Sequence, residues 1–282
     1  MRPVDKLIAG YLLLVTLVIL ARGDVLALAN AGMLIAHVLF GVLFYLFSQL
    51  SERDRIGRQI HDFYPLLFLI PFYTEFGLLN DQLALESILR HDTTVQAWES
   101  AIFGSQISYD LIREYPSVVA SWILHLAYFG YYPIVVLGPA IFVVRGQSRK
   151  TQEIMLSMMM AFIICYVVFI FYPVAGPNWA FAHPTGAVRD VWTADLVYGI
   201  LSQASSIGSA FPSSHVAATV ATTLAVWRAQ PSAGRWFAVP CGLLVIGTVY
   251  CQMHYGVDAT TGVGVGVFGW WLGGRVLVRQ PA

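Results

Sequence analysis

Charge is scarce in this chain. Only 11% of its 282 residues are Asp, Glu, Lys or Arg, the two signs balance to zero, and no run of like charge interrupts the sequence. That shortage excludes a nucleic-acid patch or a polybasic tether to an anionic surface, since both need clustered cations. Cysteine is scarcer still. Cys165, Cys241 and Cys251 all fall inside apolar runs, which argues against a disulfide framework or a zinc cluster. There is also no internal repeat, no low-complexity tract and no stretch polar enough for a soluble domain. What remains is 57% hydrophobic and 14% aromatic, with a mean hydropathy of +0.67. Those values belong to a polytopic membrane protein.

A spanning helix needs roughly 20 mostly apolar residues. On that measure eight spans are expected, near 6–21, 27–47, 63–79, 118–144, 154–173, 212–229, 236–252 and 256–277. The fold class is therefore all-α, a polytopic bundle of about eight transmembrane helices. The first span is short and precedes Ala27-Leu28-Ala29-Asn30-Ala31, a pattern that a cleaved signal peptide also shows. Short cytoplasmic loops collect Lys and Arg. Arg2, Lys6, Arg53, Arg55, Arg58, Arg145, Arg149, Lys150, Arg228, Arg235, Arg275 and Arg279 share the side of the N-terminus, leaving Arg22, Arg90, Arg113 and Arg189 opposite. This predicts cytoplasmic termini and places the other face in the periplasm or exterior of a bacterial inner (cell) membrane. The two long connections, 80–117 and 174–211, lie on that outer face, where long loops tend to be functional. In 80–117, Trp98, Ile102, Phe103, Tyr109, Leu111 and Ile112 are spaced for interfacial helices over the bundle mouth.

Two motifs sit at the same outer face. In Ala210-Phe211-Pro212-Ser213-Ser214-His215, Pro212 suits a first helical turn. The N–H groups of Ser213, Ser214 and His215 then fall at a helix N-terminus, a ready anion site. The bland reading is an ordinary Pro-Ser-Ser helix cap. In Cys251-Gln252-Met253-His254-Tyr255-Gly256-Val257-Asp258, His254 and Asp258 are four apart and share one helix face, so the carboxylate can orient the imidazole. Here the alternative is a buried polar pair joining two helices, although ionisable groups at membrane depth are more often functional. A hairpin of the sixth and seventh spans returns both motifs to one end. Two imidazoles and a carboxylate there suit phosphoryl transfer, with one His attacking and the other handling a proton.

The pattern Pro-Ser-Ser-His, hairpin, His-x-x-x-Asp resembles the type-2 phosphatidic acid phosphatase superfamily. Tyr255 and Gly262 are more similar to its inositol phosphorylceramide synthase and sphingomyelin synthase branches. The resemblance covers roughly 100–275, including Trp98 to Gly104, Leu124-His125 to Tyr132 and Gly176-Pro177-Asn178-Trp179. It implies a six-helix catalytic core, with 1–62 as added N-terminal spans and 63–282 as the catalytic membrane domain. It implies that His254 is the nucleophile forming a phosphohistidine, Asp258 its partner and His215 the acid for the leaving group. No cofactor, no metal and no nucleic acid are implied; the partners are membrane lipid substrates. The phosphatase branch's Lys-x6-Arg-Pro has no counterpart in 154–211, and Thr248 stands where that branch has Arg. A phosphodiester carries less charge than a monoester and needs fewer cations. The expected activity is therefore transfer of an inositol-phosphate-like headgroup between lipid and alcohol, with hydrolysis of phosphatidic acid-like or polyprenyl phosphate monoesters as the alternative.

For the phosphate itself, Ser213, Ser214, Arg189 and Arg113 are the candidate ligands, with His183 and His91 weaker. Arg189 is equally suited to pair with Asp190 or Asp195. Glu75, His125, Tyr255 and Trp179 are candidate acceptor-binding or wall residues, although Glu75 and His125 suit a helix–helix hydrogen bond as well. Gly262, Gly266, Gly269 and Gly273 put small residues one turn apart, a packing stripe. Two further classes stay open. A metal-dependent hydrolase using both histidines and Asp258 lacks a His-Glu-x-x-His motif, and a transporter lacks the inverted repeat.

Overall fold

A computed structural model describes residues 1–22, 28–50, 54–80, 83–204 and 206–278. Arg53 and Arg279 lie outside these described residues. The helices run α1 (Pro3–Arg22), α2 (Leu28–Ser48), α3 (Arg55–Phe63), α4 (Leu69–Asn80), α5 (Leu85–Phe103), α6 (Ile107–Glu114) and α7 (Val118–Phe129). They continue as α8 (Tyr131–Val144), α9 (Ser148–Phe171), α10 (Pro177–Ala180), α11 (Trp192–Ala204), α12 (Ser214–Ala229), α13 (Pro231–Tyr250) and α14 (Gly256–Val278). A 3₁₀ turn over Tyr64–Phe68 joins α3 to α4. Among the described residues, the one extended pairing is a bridge between Val174 and Ser209. The molecule is an all-α membrane helical bundle.

At the centre α9, α12 and α14 pack on one another. Most of α9 is buried on every side, from Ile154 through Met158 and Phe162 to Phe169, as an all-round apolar helix must be. Its neighbour α12 can approach because Ala217, Ala218, Thr219, Ala221 and Thr222 keep its surface low. The α14 glycines do the same. A Cβ at Gly262 would lie 2.7 Å from the Ser213 carbonyl oxygen, and one at Gly266 would lie 2.6 Å from that of Ala217. Only Gly permits such backbone contact.

Among the described residues, four helices are long and apolar enough to cross a membrane: α1, residues 31–48 of α2, α9 and α13. A fifth counts if α7 and α8, bent by 44°, are one broken span. The break falls at Gly130, with Pro133 in the first turn beyond it, a usual cause of a kink. The other three expected spans are helical where expected but differ in kind. The third is a 3₁₀ turn followed by the 12-residue α4, and the sixth is the 16-residue α12, sheltered by its neighbours. In the eighth, α14, glycines and tryptophans lower the apolarity.

The two ends of the bundle differ in charge. Arg55 donates to Val144 O at 3.3 Å, Arg145 to Gln230 Oε1 at 2.8 Å and Arg149 to Leu277 O at 2.5 Å, while Arg228 pairs with Glu153. Those contacts gather the basic residues at the end of Arg2, which pairs with Asp62 at 2.7 Å. Both histidine motifs sit at the opposite end.

Candidate active site

At that opposite end two loops are stitched together. Ala210 N–H donates to Val174 O at 2.9 Å and Val174 N–H to Gly208 O at 3.3 Å. Asp92, from α5, then accepts the N–H groups of Ala175 and Gly176, each at 2.8 Å. The Ala210 carbonyl is thereby fixed, and it accepts His254 Nδ1–H at 2.9 Å. A carbonyl only accepts, so the proton is on Nδ1 and Nε2 keeps its lone pair. Burial pushes the His254 imidazole down to about 4, with the Ala210 bond opposing part of that shift.

The turn carrying His254 is not helical. It reverses between α13 and α14, where Thr248 O accepts from Met253 N at 3.1 Å and from His254 N at 3.0 Å. Gln252 takes φ 58°, a left-handed conformation uncommon for a side-chain-bearing residue. Its amide holds it there. Nε2 donates to Pro177 O at 3.2 Å and to Ala182 O at 3.0 Å, while Oε1 accepts from Arg113 at 2.7 Å. From α5, Glu99 spans to the next residues, accepting Gly256 N and Ser108 N at 2.8 Å each. Burial raises the Asp92 and Glu99 carboxyls above the ordinary carboxylate value, against these hydrogen bonds.

Asp258 lies in the first turn of α14, so it and His254 do not share a helix as expected. They remain close, with Oδ2 3.4 Å from His254 Nδ1. Oδ2 also accepts Tyr255 N–H at 2.8 Å, an N-terminal cap, whereas Oδ1 is buried without a hydrogen bond. The first motif is also shifted. Pro212, expected in the first helical turn, precedes the helix through a cis peptide bond, and Ser213 is the N-cap. Its Oγ accepts Val216 N–H at 3.3 Å, and its own N–H donates to Asp258 O at 3.0 Å. The hydroxyl thus caps α12, while the N–H ties the start of α12 to α14.

His215 follows on α12, its ring centre 6.0 Å from that of His254. Tyr131 packs on it at 4.4 Å and Tyr128 at 5.3 Å, both placed by the α7–α8 bend. Its Nδ1 is buried and has no hydrogen bond. A niche of about 40 Å³ contacts both imidazoles together with Asn178, Trp179, Ser209 and Ala210. A second cavity of about 460 Å³ also reaches His215 and Ser214, between α4, α8, α11 and α12. Among the described residues, no Lys or Arg lines either one.

The structure thus brings His254, Asp258, His215, Ser214 and Trp179 together, with Ser213 beneath them as a cap. It leaves the other candidates elsewhere. Arg189 pairs with Asp195 at 2.7 Å and stacks 4.3 Å from the centre of the Tyr198 ring. Arg113 is occupied by Gln252, Tyr109 O and Ala182 O. Glu75 bonds His37 of α2, and His125 Nδ1 donates to Ser121 O at 2.8 Å within its own helix. Tyr255 stands behind the niche, its hydroxyl donating to Asp92 at 3.0 Å. His91 Nδ1 donates to Pro173 O at 2.7 Å and His183 Nε2 to Asn178 O at 3.0 Å, so both brace loops. Three supporting residues escape sequence reasoning: Gln252, Asp92 and Glu99. A signal for the last two does exist. Ile88, Asp92, Val95 and Glu99 are all buried, and their spacing marks one helical face on which two acids alternate with apolar residues.

The sequence model of the PAP2 superfamily matches residues 95–272. No curated protein and no solved structure matches the chain.

Proposed function

The chain belongs to the PAP2 superfamily, an enzyme of phosphatase or phosphotransferase type integral to a membrane, and from that premise we propose that it is a lipid phosphotransferase working through a phosphohistidine. His254 Nε2 attacks phosphorus, the P–N bond forms as the P–O bond to the leaving alcohol breaks, and His215 supplies the proton to that oxygen. In the return half, His215 removes the proton of an acceptor hydroxyl, whose oxygen attacks phosphorus as the P–N bond breaks. Asp258 stabilises the imidazolium character that develops on His254.

The carrying observation is a pair of imidazoles across a small niche that, among the described residues, no cation lines. A phosphate monoester with nearly two charges favours several cationic partners, whereas a diester carries one charge. An uncharged niche suits the diester, and so transfer of a phospho-headgroup in the manner of the inositol phosphorylceramide synthase and sphingomyelin synthase branches. We assign 63–282 to the catalytic membrane domain and 1–62 to added spans. The basic residues at the end opposite the site favour cytoplasmic termini and a site facing the periplasm of a bacterial inner membrane.

Mass spectrometry of products tests the reading. Detergent-purified wild type and His254→Ala are incubated with phosphatidic acid or a phosphoinositide, plus diacylglycerol, ceramide and inositol as acceptors. A new headgroup-bearing lipid made by wild type alone is the expected result. Release of inorganic phosphate from phosphatidic acid with no transfer product refutes the diester reading in favour of a lipid phosphatase.

A further inference from the structure

Helix α4 lies outside the residues matched to the family, yet it forms part of the site. Tyr73 lines both the 40 Å³ niche and the 460 Å³ cavity, sharing the wall between them with Leu201, Ser206 and His215. Its phenol oxygen accepts Ser206 N–H at 3.2 Å and lies 3.1 Å from Ser209 Oγ. Ser209 spends its own proton on Ser206 O at 2.6 Å, so in the Tyr73–Ser209 pair Tyr73 is the donor. At 3.1 Å that O–H···O bond is longer than the common 2.7–2.8 Å, and a substrate oxygen can replace Ser209 as its acceptor.

Two contacts hold α4 in this rotation. On one side, a Cβ at Gly77 would lie 2.5 Å from Ser206 Oγ, so α4 touches the 206–209 turn directly. On the other side, Glu75 bonds His37 of α2, whose Nδ1 pairs with Thr16 Oγ1 of α1 at 2.9 Å. Turning α4 would present Glu75 to lipid, which is costly for an ionisable group. The added helices therefore set the angle at which Tyr73 meets the site.

The larger cavity shows what that angle serves. Its lining is aromatic, aliphatic and hydroxylic, with Tyr131, Tyr132, Tyr166 and Ser214 beside Tyr73, and among the described residues it contains no Asp, Glu, Lys or Arg. A chamber of that chemistry excludes a charged headgroup and accepts an apolar stem ending in an alcohol or ester oxygen. We propose that Tyr73 is a specificity-determining residue: it seats the uncharged lipid-alcohol moiety in this cavity, with the reacting oxygen held between its hydroxyl and His215. This rests on the phosphotransfer reading above.

Two measurements test it. The first compares kcat/KM for a long-chain lipid phosphoester and its dihexanoyl form, which share the reacting group and differ in the stem. Tyr73→Ala is expected to lower the long-to-short ratio at least tenfold. Tyr73→Phe, which keeps the ring, is expected to hold that ratio within threefold of wild type while losing about tenfold in kcat/KM on both esters. Equal losses on both esters in Tyr73→Ala overturn the assignment and leave Tyr73 a merely structural residue. The second is photolabelling with a diazirine-bearing dodecyl alcohol in the His254→Ala protein, where chemistry is blocked. Label on α4 and α8 peptides, lost in the double variant carrying Tyr73→Trp, is the expected result; label absent from both peptides overturns the proposal. Label at those peptides together with no His254-dependent turnover refutes the phosphotransfer reading alone and supports the binding role.

Discussion

Replacing Asp258 by Asn removes a charge while keeping the shape, and the structure sets how much that should matter. Two functions are usually combined in a carboxylate beside a nucleophilic histidine: holding the tautomer and stabilising positive charge. Here they are divided. The Ala210 carbonyl holds the Nδ1 proton at 2.9 Å, while Asp258 Oδ2 stands 3.4 Å away. The tautomer should therefore survive Asp258→Asn, and only the charge is lost. At 3.4 Å and an effective dielectric constant of about 20, a full charge pair is worth about 5 kcal/mol. Spreading the imidazolium charge over two nitrogens leaves about half of that at Nδ1. At about 1.4 kcal/mol per decade of rate, that half, about 2.5 kcal/mol, corresponds to an expected loss in kcat of about 60-fold. The assay is initial-rate turnover of the lipid ester in detergent, with ¹⁵N-histidine NMR reporting the tautomer. A loss below tenfold, or a switch of His254 to the Nε2–H form in Asp258→Asn, would refute the division of roles.

Four more expectations follow from particular contacts. Gly262→Ala brings a methyl to 2.7 Å from Ser213 O, so a cost of about 1–3 kcal/mol from overpacking is expected, read as a fall in Tm with the site perturbed through Ser213. Arg189→Ala removes a pair whose aspartate is 68% exposed; its effect on stability should be within about 1 kcal/mol and on kcat/KM within threefold, whereas Arg113→Ala frees Gln252 and should cost at least tenfold in kcat. His254 titrates near 4 when folded against about 6.5 unfolded, so its neutral form contributes stability that is complete above pH 6.5 and lost as pH falls toward 4. Thermal melts from pH 7 to 4 should show wild type losing more Tm than His254→Gln, and equal slopes would remove burial as the cause.

Much of the architecture is legible along the chain because the bilayer acts on each segment separately. Twenty apolar residues in a row announce a buried helix, whichever helices surround it. The same reading miscounts where neighbours replace lipid. The Ala- and Thr-rich α12 survives as a 16-residue core helix because α9, α13 and α14 enclose it. The placement of 210–215 and 251–258 at one end of the bundle follows from hairpin geometry alone. Cation placement follows only in part: Arg189 takes Asp195, six residues away and one of its two expected loop partners, whereas Arg113 meets Gln252, 139 residues away, which no local rule selects.

From its residues alone, the chain determines that it is a helical membrane protein with two histidines and an aspartate at one end. Hydrophobicity, the asymmetry of the basic residues and motif spacing are properties of the chain itself. Tertiary structure decides which atoms those histidines meet. The Ala210 carbonyl rather than a carboxylate takes the Nδ1 proton, Glu99 and Asp92 pin the surrounding loops, and α4 delivers Tyr73 to the wall. Hydrogen bonds act over about 3 Å and depend on orientation, so partners separated by 40 to 160 residues are chosen only when the helices pack.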